Sequence, residues 1–289
     1  MLFLDKPLGL SSNTALQKAR WLLKAAKGGH TGTLDPMATG LLPLTFGEAT
    51  KFSQTLLDAD KVYEATLKLG VTTTTADAEG DVLAILPVNA IDEEIESAMS
   101  RLRGSIEQVP PMYSALKHHG KALYEYARAG IEIPREARRV TIYRFERLAR
   151  DGDSLMVRVA CSKGTYVRTL ASDLGALLGC GAHLTALRRT RIGPFDLQGA
   201  IGLSDFEALP EDTREARLAP VDALLAHLDV LRLDEAQARH FTHGQAVKAG
   251  AAPVGALFRV YSGARFLGVG TQKEEGEVAP TRLVATTEQ

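Results

Sequence analysis

Hydrophobic residues alternate with polar ones in some stretches of the chain and recur at helical spacing in others. Residues 63–69 alternate strictly, which predicts a strand with one buried face. Leucine and alanine recur at helical spacing within 16–23, directly after three residues of helix-capping type, which predicts a helix. The other predicted strands are 1–4, 41–46, 140–149, 155–161 and 184–191, and the other predicted helices are 91–102, 121–129 and 170–178.

Residues 28–40 interrupt this pattern with four glycines, one proline and no periodicity. Asp35 lies in the middle and precedes Pro36, which favours an extended or turn backbone at the aspartate. Such segments are usually plain turns, but loops of about 12 residues or more tend to be functional or disordered, and apolar stretches on both sides argue against disorder. We therefore expect a loop that displays Asp35 as a nucleophile or a general base. A second polar loop is predicted at 71–81.

The mixture of helices and hairpin-forming strands favours an α+β fold with a mixed, mostly antiparallel sheet over a doubly wound parallel sheet. Residues 204–217 are rich in acids, as in a solvated linker or a capping helix. Beyond residue 229, glycines separate short segments, which indicates a small β-rich module. We expect two domains, 1–228 and 229–289.

Composition limits the partners that the chain can have. Of its 289 residues 45% are hydrophobic, and the formal net charge is −1, so any basic surface must be local. Cys161 and Cys180 lack metal-site spacing and are expected to be buried thiols in a reducing compartment. We find no apolar stretch of about 18 residues and no signal peptide at the start. A cytoplasmic protein without a membrane span is therefore expected.

The loop around Asp35 is compatible with more than one chemistry. It lacks the Gly-Lys-Ser/Thr ending of a phosphate-binding P-loop. Residues 30–34 resemble part of the aspartyl-phosphate signature of ion-pumping ATPases, but Gly29 stands where that signature has its aspartate. A phosphoryl-transfer enzyme is kept as an alternative, which ATP turnover would reveal.

Basic residues interleaved with tyrosines suggest RNA as a partner, because bases stack on aromatic rings and phosphates meet cations. Taken singly, a tyrosine more often fills the core and an arginine more often lies on a solvated face. The residues concerned are Lys117, His118, His119, Lys121, Arg188, Arg189 and Arg191, with Tyr63 and Tyr166.

Seven short segments together match one known family. They are 4–12, 29–36, 47–51, 61–63, 113–117, 162–168 and 186–190. Over nearly its whole length the chain resembles the bacterial TruB-type tRNA pseudouridine synthases. The resemblance implies isomerisation of the T-loop uridine (position 55) of tRNA. It also implies a catalytic domain of the pseudouridine synthase type with an RNA-gripping insertion at about 105–135, and a PUA-like C-terminal domain.

The resemblance assigns the site residues. Asp35 takes the place of the essential aspartate, and Arg168 that of the arginine which pairs with it. Tyr63 would stack on the uracil and could remove the C5 proton late in the reaction, and Leu187 would wall the pocket. Whether Asp35 attacks the nucleotide or abstracts a sugar proton towards a glycal stays open. The supporting residues are Tyr166, Lys6 and Asp77.

The resemblance also implies how RNA is held. His30 would stack into the space that the flipped base leaves, and Lys117 lies in a segment similar to the RNA-gripping insertion. Arg188 and Arg189 are expected to contact RNA as members of the basic cluster. No cofactor, metal or protein partner is implied, and a monomer is expected. A tRNA-folding chaperone is the second hypothesis, because it would need the cations and tyrosines but not Asp35.

Overall fold

The computed structural model of the chain describes residues 1–249 and 252–285. Its strands, numbered in chain order, are β1 (Leu2–Lys6), β2 (Gly28–His30), β3 (Ala38–Phe46), β4 (Lys61–Leu69), β5 (Val71–Thr73), β6 (Val82–Ile85), β7 (Gly104–Gln108), β8 (Lys117–His118), β9 (Lys121–Ala122), β10 (Arg138–Asp151), β11 (Ser154–Cys161), β12 (Ala182–Ile192), β13 (Phe195–Asp196), β14 (Ile201–Gly202), β15 (Asp229–Arg232), β16 (Val247–Lys248), β17 (Leu257–Ser262), β18 (Arg265–Gln272) and β19 (Glu277–Leu283).

The α-helices lie between these strands. They are α1 (Ser12–Leu22), α2 (Gln54–Leu57), α3 (Asp92–Arg101), α4 (Leu123–Arg128), α5 (Val167–Leu177), α6 (Leu203–Ala208) and α7 (Glu235–Thr242). The Ser11 hydroxyl accepts a hydrogen bond from the Thr14 backbone N–H and so caps α1. No helix in residues 1–249 or 252–285 is long and apolar enough to cross a membrane.

One large sheet carries most of the chain, in the order β14-β1-β3-β12-β4-β11-β10-β7, with β2 paired to β3 and β13 to β12. Within it only β1 with β14 and β3 with β12 run parallel. The predicted α+β fold with a mixed, mostly antiparallel sheet is confirmed. Because β12 lies between β3 and β4, it is an interior strand with neighbours on both sides.

Helices α1, α3 and α5 cover the sheet and close its main hydrophobic core, which includes Leu16, Met99, Phe145 and Leu174. Helix α5 lies very close to the start of β12. A Cβ added to Gly175 would be 2.1 Å from the backbone nitrogen of Ala182. Glycine is therefore required at this position by lack of space.

The C-terminal β15–β19 form a separate five-stranded sheet with α7 packed against it. This module packs against the main sheet and the helices near it through a second core that joins Leu41 and Phe52 to Val269. Polar contacts add to it: the Lys51 ammonium donates to the Leu283 carbonyl (2.8 Å).

Three segments differ from the sequence-based expectations. The loop predicted at 28–40 begins with β2 and ends inside β3, so only residues 31–37 connect strands. The polar loop predicted at 71–81 is part of a β-hairpin, since β5 pairs with β6. Residues 105–108 of the predicted insertion lie in β7, which pairs with β10 in the main sheet. The segment that leaves the sheet is therefore 109–137.

The contact between α5 and β12 can be tested by Gly175→Ala. We expect unfolding free energy to fall by about 1–3 kcal/mol, because the added methyl forces helix and strand apart. Denaturant unfolding measures this. Gly199→Ala is the matched control, since nothing lies within 4 Å of the added Cβ. Equal stability of the two variants would contradict the steric argument.

Candidate active site

Asp35 lies on the short connection between β2 and β3, and this connection is tied to the first turn of α1. The Ser12 hydroxyl accepts from the Leu34 N–H (2.7 Å) and donates to the Leu34 carbonyl (2.9 Å). The Ala38 N–H donates to the Asp35 carbonyl (3.0 Å). The backbone is thus held on both sides of the carboxylate.

Arg168, in the first turn of α5, brings two carboxylates together. Its Nη2 is 3.0 Å from Asp35 Oδ2, and its Nη1 is 3.4 Å from Asp77 Oδ2. The same guanidinium donates to the carbonyls of Thr75 (3.2 Å) and Tyr113 (2.6 Å). The side chains of Arg168 and Asp77 are 5% and 3% exposed, whereas that of Asp35 is 34% exposed. Asp35 is therefore the carboxylate of this group that a ligand can reach.

Asp77 is held in the turn between β5 and β6. Its Oδ1 accepts from the Glu79 N–H (3.0 Å) and from the Thr75 hydroxyl. Ala76, just before it, has φ of 58°, a left-handed conformation that costs a non-glycine residue energy. Its carbonyl accepts from the N–H of Leu184 on β12 (3.0 Å). The turn is thus fastened to the main sheet.

Lys6, at the end of β1, is fully buried beneath the loop of Asp35. Its Nζ donates to the carbonyls of Pro7 (2.8 Å), Leu10 (2.6 Å) and Pro36 (3.4 Å). Burial lowers the pKa of Lys6 to about 8, and the charges of Asp35 and Glu79 oppose this shift. The ammonium therefore holds the backbone next to Asp35 and adds positive charge to the site.

The pKa of Asp35 is raised, because burial disfavours its charged form. Arg168 and Lys6 act in the opposite direction, while the nearby charge of Asp77 raises the pKa further. A carboxylate that is poorly hydrated but held by a guanidinium is a stronger base and nucleophile than one in water.

Tyr63 and Leu187 come from neighbouring strands beside this loop. Tyr63 on β4 is in register with Arg189 on β12, and its phenol interacts with that guanidinium. Burial raises the pKa of Tyr63, with Arg189 opposing, so the phenol is neutral. Leu187 is buried and in register with Ala38, the third residue after Asp35.

Tyr166 directly precedes α5, two residues before Arg168. Its backbone N–H donates to the Gln108 side-chain oxygen (3.0 Å), and its carbonyl accepts from the Gln108 amide nitrogen (3.4 Å). Gln108, at the end of β7, thereby fixes the start of the helix that carries Arg168. Sequence reasoning missed Gln108, because a lone glutamine near two prolines carries no chemical signal.

Family models cover nearly the whole chain. The model of the N-terminal domain of the TruB family pseudouridylate synthases matches residues 20–167. The chain belongs to this family. A model of the tRNA pseudouridylate synthase B C-terminal domain matches 168–226, and one described as pseudouridine synthase II TruB, C-terminal, matches 230–284. The resemblance identified from the sequence motifs is confirmed.

Curated members of the TruB family are similar over most of their length. A tRNA pseudouridine synthase B of Aromatoleum aromaticum is 62% identical over 288 residues, covering 99% of this chain and 92% of that protein. The tRNA pseudouridine synthase B of Azoarcus sp. is 58% identical, covering 99% and 95%.

Solved structures share the fold. A chain in the crystal structure of a Cbf5-Nop10-Gar1 complex matches with a TM-score of 0.72 at 27% identity, covering 98% of this chain and 84% of that chain. A chain in an H/ACA RNP bound to a substrate RNA containing 2'-deoxyuridine matches with a TM-score of 0.72 at 25% identity, covering 99% and 85%.

The residues predicted to contact RNA lie in different surroundings. His30 on β2 is half-buried, and burial followed by the charge of Arg189 lowers its pKa. Within the described part of the chain its buried Nδ1 has no hydrogen-bond partner. Lys117 is exposed on β8. Arg188 is partly exposed and holds the Asp5 carboxylate with two hydrogen bonds, of 3.1 and 2.6 Å.

Arg189 does not lie on the surface, so its predicted contact with RNA is wrong. Its side chain is 1% exposed and points into the protein beneath the loop of Asp35. Successive residues of a strand face opposite sides, which separates it from its surface neighbour Arg188.

The described residues contain no group of three or more His, Cys, Asp or Glu side chains arranged to hold a metal ion. Asp35 pairs with the Arg168 guanidinium, the charges of Asp77 and Lys6 act on it, and its own charge acts on the phenol of Tyr63. Such a set can bind a polar ligand, hold a carboxylate in its charged form and use it as a nucleophile or base.

The electrostatic coupling between the two carboxylates can be measured in Asp77→Asn. We expect the loss of this negative charge to lower the pKa of Asp35, because the charge of Asp77 raises that pKa in the wild type. Asp35 would also be the one carboxylate left within 4.0 Å of Arg168 in this group. A pH titration of the Asp35 carboxyl by ¹³C NMR checks this. Asp153→Asn, at an exposed turn, should leave the titration unchanged. A pKa of Asp35 that stays the same or rises would contradict the coupling.

Proposed function

We propose that this protein isomerises a uridine of tRNA to pseudouridine, and that its target is the T-loop uridine. The observation that carries the proposal is a carboxylate, Asp35, that a ligand can reach and that a buried arginine holds in place. Similarity to two proteins named tRNA pseudouridine synthase B, at 62% and 58% identity, supports tRNA as the substrate.

The reaction breaks the C1′–N1 bond of a nucleotide and forms a C1′–C5 bond in its place. The C5 proton is lost to solvent, and N1 gains a proton. No electron or group passes to another molecule, so carboxylate chemistry suffices. The base must first leave the stack, at a cost of a few kcal/mol. We assign the filling of the vacated space to His30, which is half-buried at the end of β2 directly before the loop.

Asp35 starts the reaction in its ionised form, either by attack on the nucleotide or by removing a sugar proton. Arg168 has two functions. It favours the carboxylate over the acid, and it directs one oxygen of Asp35 by a contact of 3.0 Å. Asp77 stabilises the buried guanidinium, so we assign it a supporting role together with Lys6.

Tyr63 and Leu187 would form the walls that receive the base. A neutral phenol stacks on a pyrimidine as well as any aromatic ring. Because burial raises the pKa of Tyr63, the phenolate needed for proton removal at C5 is disfavoured. We therefore assign Tyr63 to stacking, with Tyr166 supporting the backbone ahead of Arg168.

We assign RNA binding to the exposed Lys117, the partly exposed Arg188 and the segment 109–137. We also assign it to the C-terminal β-rich module, 229–289, as a PUA-like domain that follows a catalytic domain of 1–228. A monomer located in the cytoplasm stays a prediction.

A chaperone that folds tRNA would have no use for a buried Arg168 paired with Asp35, so we favour catalysis.

Asp35→Asn tests the catalytic assignment. The amide cannot act as nucleophile or base, so we expect no detectable tritium release from tRNA labelled at C5 of uridine, with tRNA binding retained. Filter binding and tritium release measure the two properties. Asp153→Asn is the control and should react like the wild type. Appreciable release by Asp35→Asn would refute the assignment.

Arg168→Lys tests the pairing. One ammonium cannot reproduce the two-pronged contact to Asp35 and Asp77, so the single-turnover rate should fall about 10²- to 10³-fold, as when an oriented donor is lost. Arg158→Lys is a matched control, because Arg158 forms an exposed ion pair with Glu64 (2.8 Å). Wild-type rates in Arg168→Lys would rule the pairing out as a catalytic requirement.

A further inference from the structure

Arg189, in the middle of β12, contacts the catalytic loop from below. Its Nε donates to the Leu41 carbonyl (2.8 Å), its Nη2 to the Gly32 carbonyl (3.1 Å) and its Nη1 to the Thr33 carbonyl (3.5 Å). Gly32 and Thr33 precede Asp35, and Leu41 follows it. One guanidinium therefore joins the first half of the loop that carries the carboxylate to strand β3, which follows it.

The loop is shaped to lie against this arginine. Gly40 has φ of 102° and is in register with Arg189, and a Cβ there would be 2.3 Å from the Arg189 carbonyl oxygen. Gly32 has φ of 105°, and a Cβ there would be 3.4 Å from Arg189 Nη1. Both glycines allow backbone conformations that other residues rarely adopt. Gly40 thus lies against the backbone of Arg189, and Gly32 lies against its guanidinium.

The charge of Arg189 is unusual for a residue that only stabilises a core. Within the described residues no carboxylate lies within 4.0 Å of it, and burial without such a partner is costly. The phenol of Tyr63, in register with Arg189 on the adjacent strand, also interacts with the guanidinium. An apolar residue would fill this space at a lower cost in free energy. Core stability alone therefore does not account for a guanidinium whose N–H groups donate to the loop.

We propose that Arg189 is a positioning residue for the reaction: it fixes the loop so that the Asp35 carboxylate faces Arg168, and it orients the Tyr63 phenol on the opposite strand. This inference rests on the proposed isomerisation of tRNA uridine. Arg189 acts through Asp35 and Tyr63 and does not touch the substrate. Its loss should therefore reduce the rate of the chemical step and leave the affinity for tRNA nearly unchanged.

The test compares Arg189→Lys and Arg189→Met with the wild type in single-turnover reactions at saturating enzyme. Under that condition a fraction of unfolded enzyme does not change the rate constant. We expect Arg189→Met to lose at least about 100-fold in rate, as expected for a displacement of about 1 Å. Arg189→Lys should recover part of this loss, because an ammonium still donates to carbonyls. The dissociation constant for tRNA should stay within about threefold, as for a group that acts only in the chemical step.

Arg158→Lys and Arg158→Met are the matched controls and should keep the wild-type rate. If neither Arg189 variant folds, Gly32→Ala decides the matter, because it strains the backbone at φ of 105°, where the Gly32 carbonyl accepts from Nη2 of Arg189. Its rate should fall while that of Gly152→Ala, also at a positive φ but in open space, does not.

Unchanged rates in folded Arg189 variants, or a loss confined to tRNA affinity, would overturn the positioning role. So would equal losses in the Lys and Met variants. An unchanged rate in Gly32→Ala would also count against it. The wild-type protein separates this inference from the proposed function. If it forms no pseudouridine in tRNA, the function fails; if it is active and the variants are too, only the inference fails.

Discussion

Burial of the Arg168 guanidinium is the constraint around which the site is organised. A charge removed from water costs several kcal/mol unless good partners surround it. Arg168 has two carboxylates and two carbonyls as partners, and they come from three segments: the loop of Asp35, the β5–β6 turn and the chain that follows β7. These three segments do not belong to one strand or one helix. Satisfying one cation therefore brings them together and leaves Asp35 as the partner that faces outward.

The parallel pairing of β3 with β12 positions further side chains around the loop of Asp35. It places Leu187 beside Ala38 and Arg189 beside Gly40, close to where the loop enters β3. Strand β12 thus delivers an apolar wall and a buried donor to the same loop. Lys6 contributes from β1, the other neighbour of β3. Three adjoining strands therefore act on the backbone that surrounds one carboxylate.

Long periodic segments could be predicted from the sequence, and short paired ones could not. The alternation in β4 and the helical spacing in α1 are local properties that about twenty or fewer neighbouring residues reveal. Strand β2 has three residues and no alternation, and it exists because it pairs with Leu44–Phe46 in β3. In the site, Asp35 was identified by its glycine-rich loop, and its pairing with Arg168 was identified through motif resemblance. The carbonyls of Thr75 and Tyr113 could not be, because a backbone partner leaves no mark in the sequence.

Arg188 and Arg189 show how a prediction of RNA contact from charge alone can be wrong, and how the geometry of the strand corrects it. Two adjacent residues of an interior strand must face opposite sides, so both arginines could not lie on one surface. Sequence reasoning assigned both to RNA because basic residues interleaved with tyrosines suit an RNA-binding surface. The glycines of this region indicate the buried position of Arg189. Gly32 and Gly40 have positive φ, and both lie close to Arg189. A buried guanidinium needs carbonyls at close range, and glycines free of a Cβ let the chain bring them there.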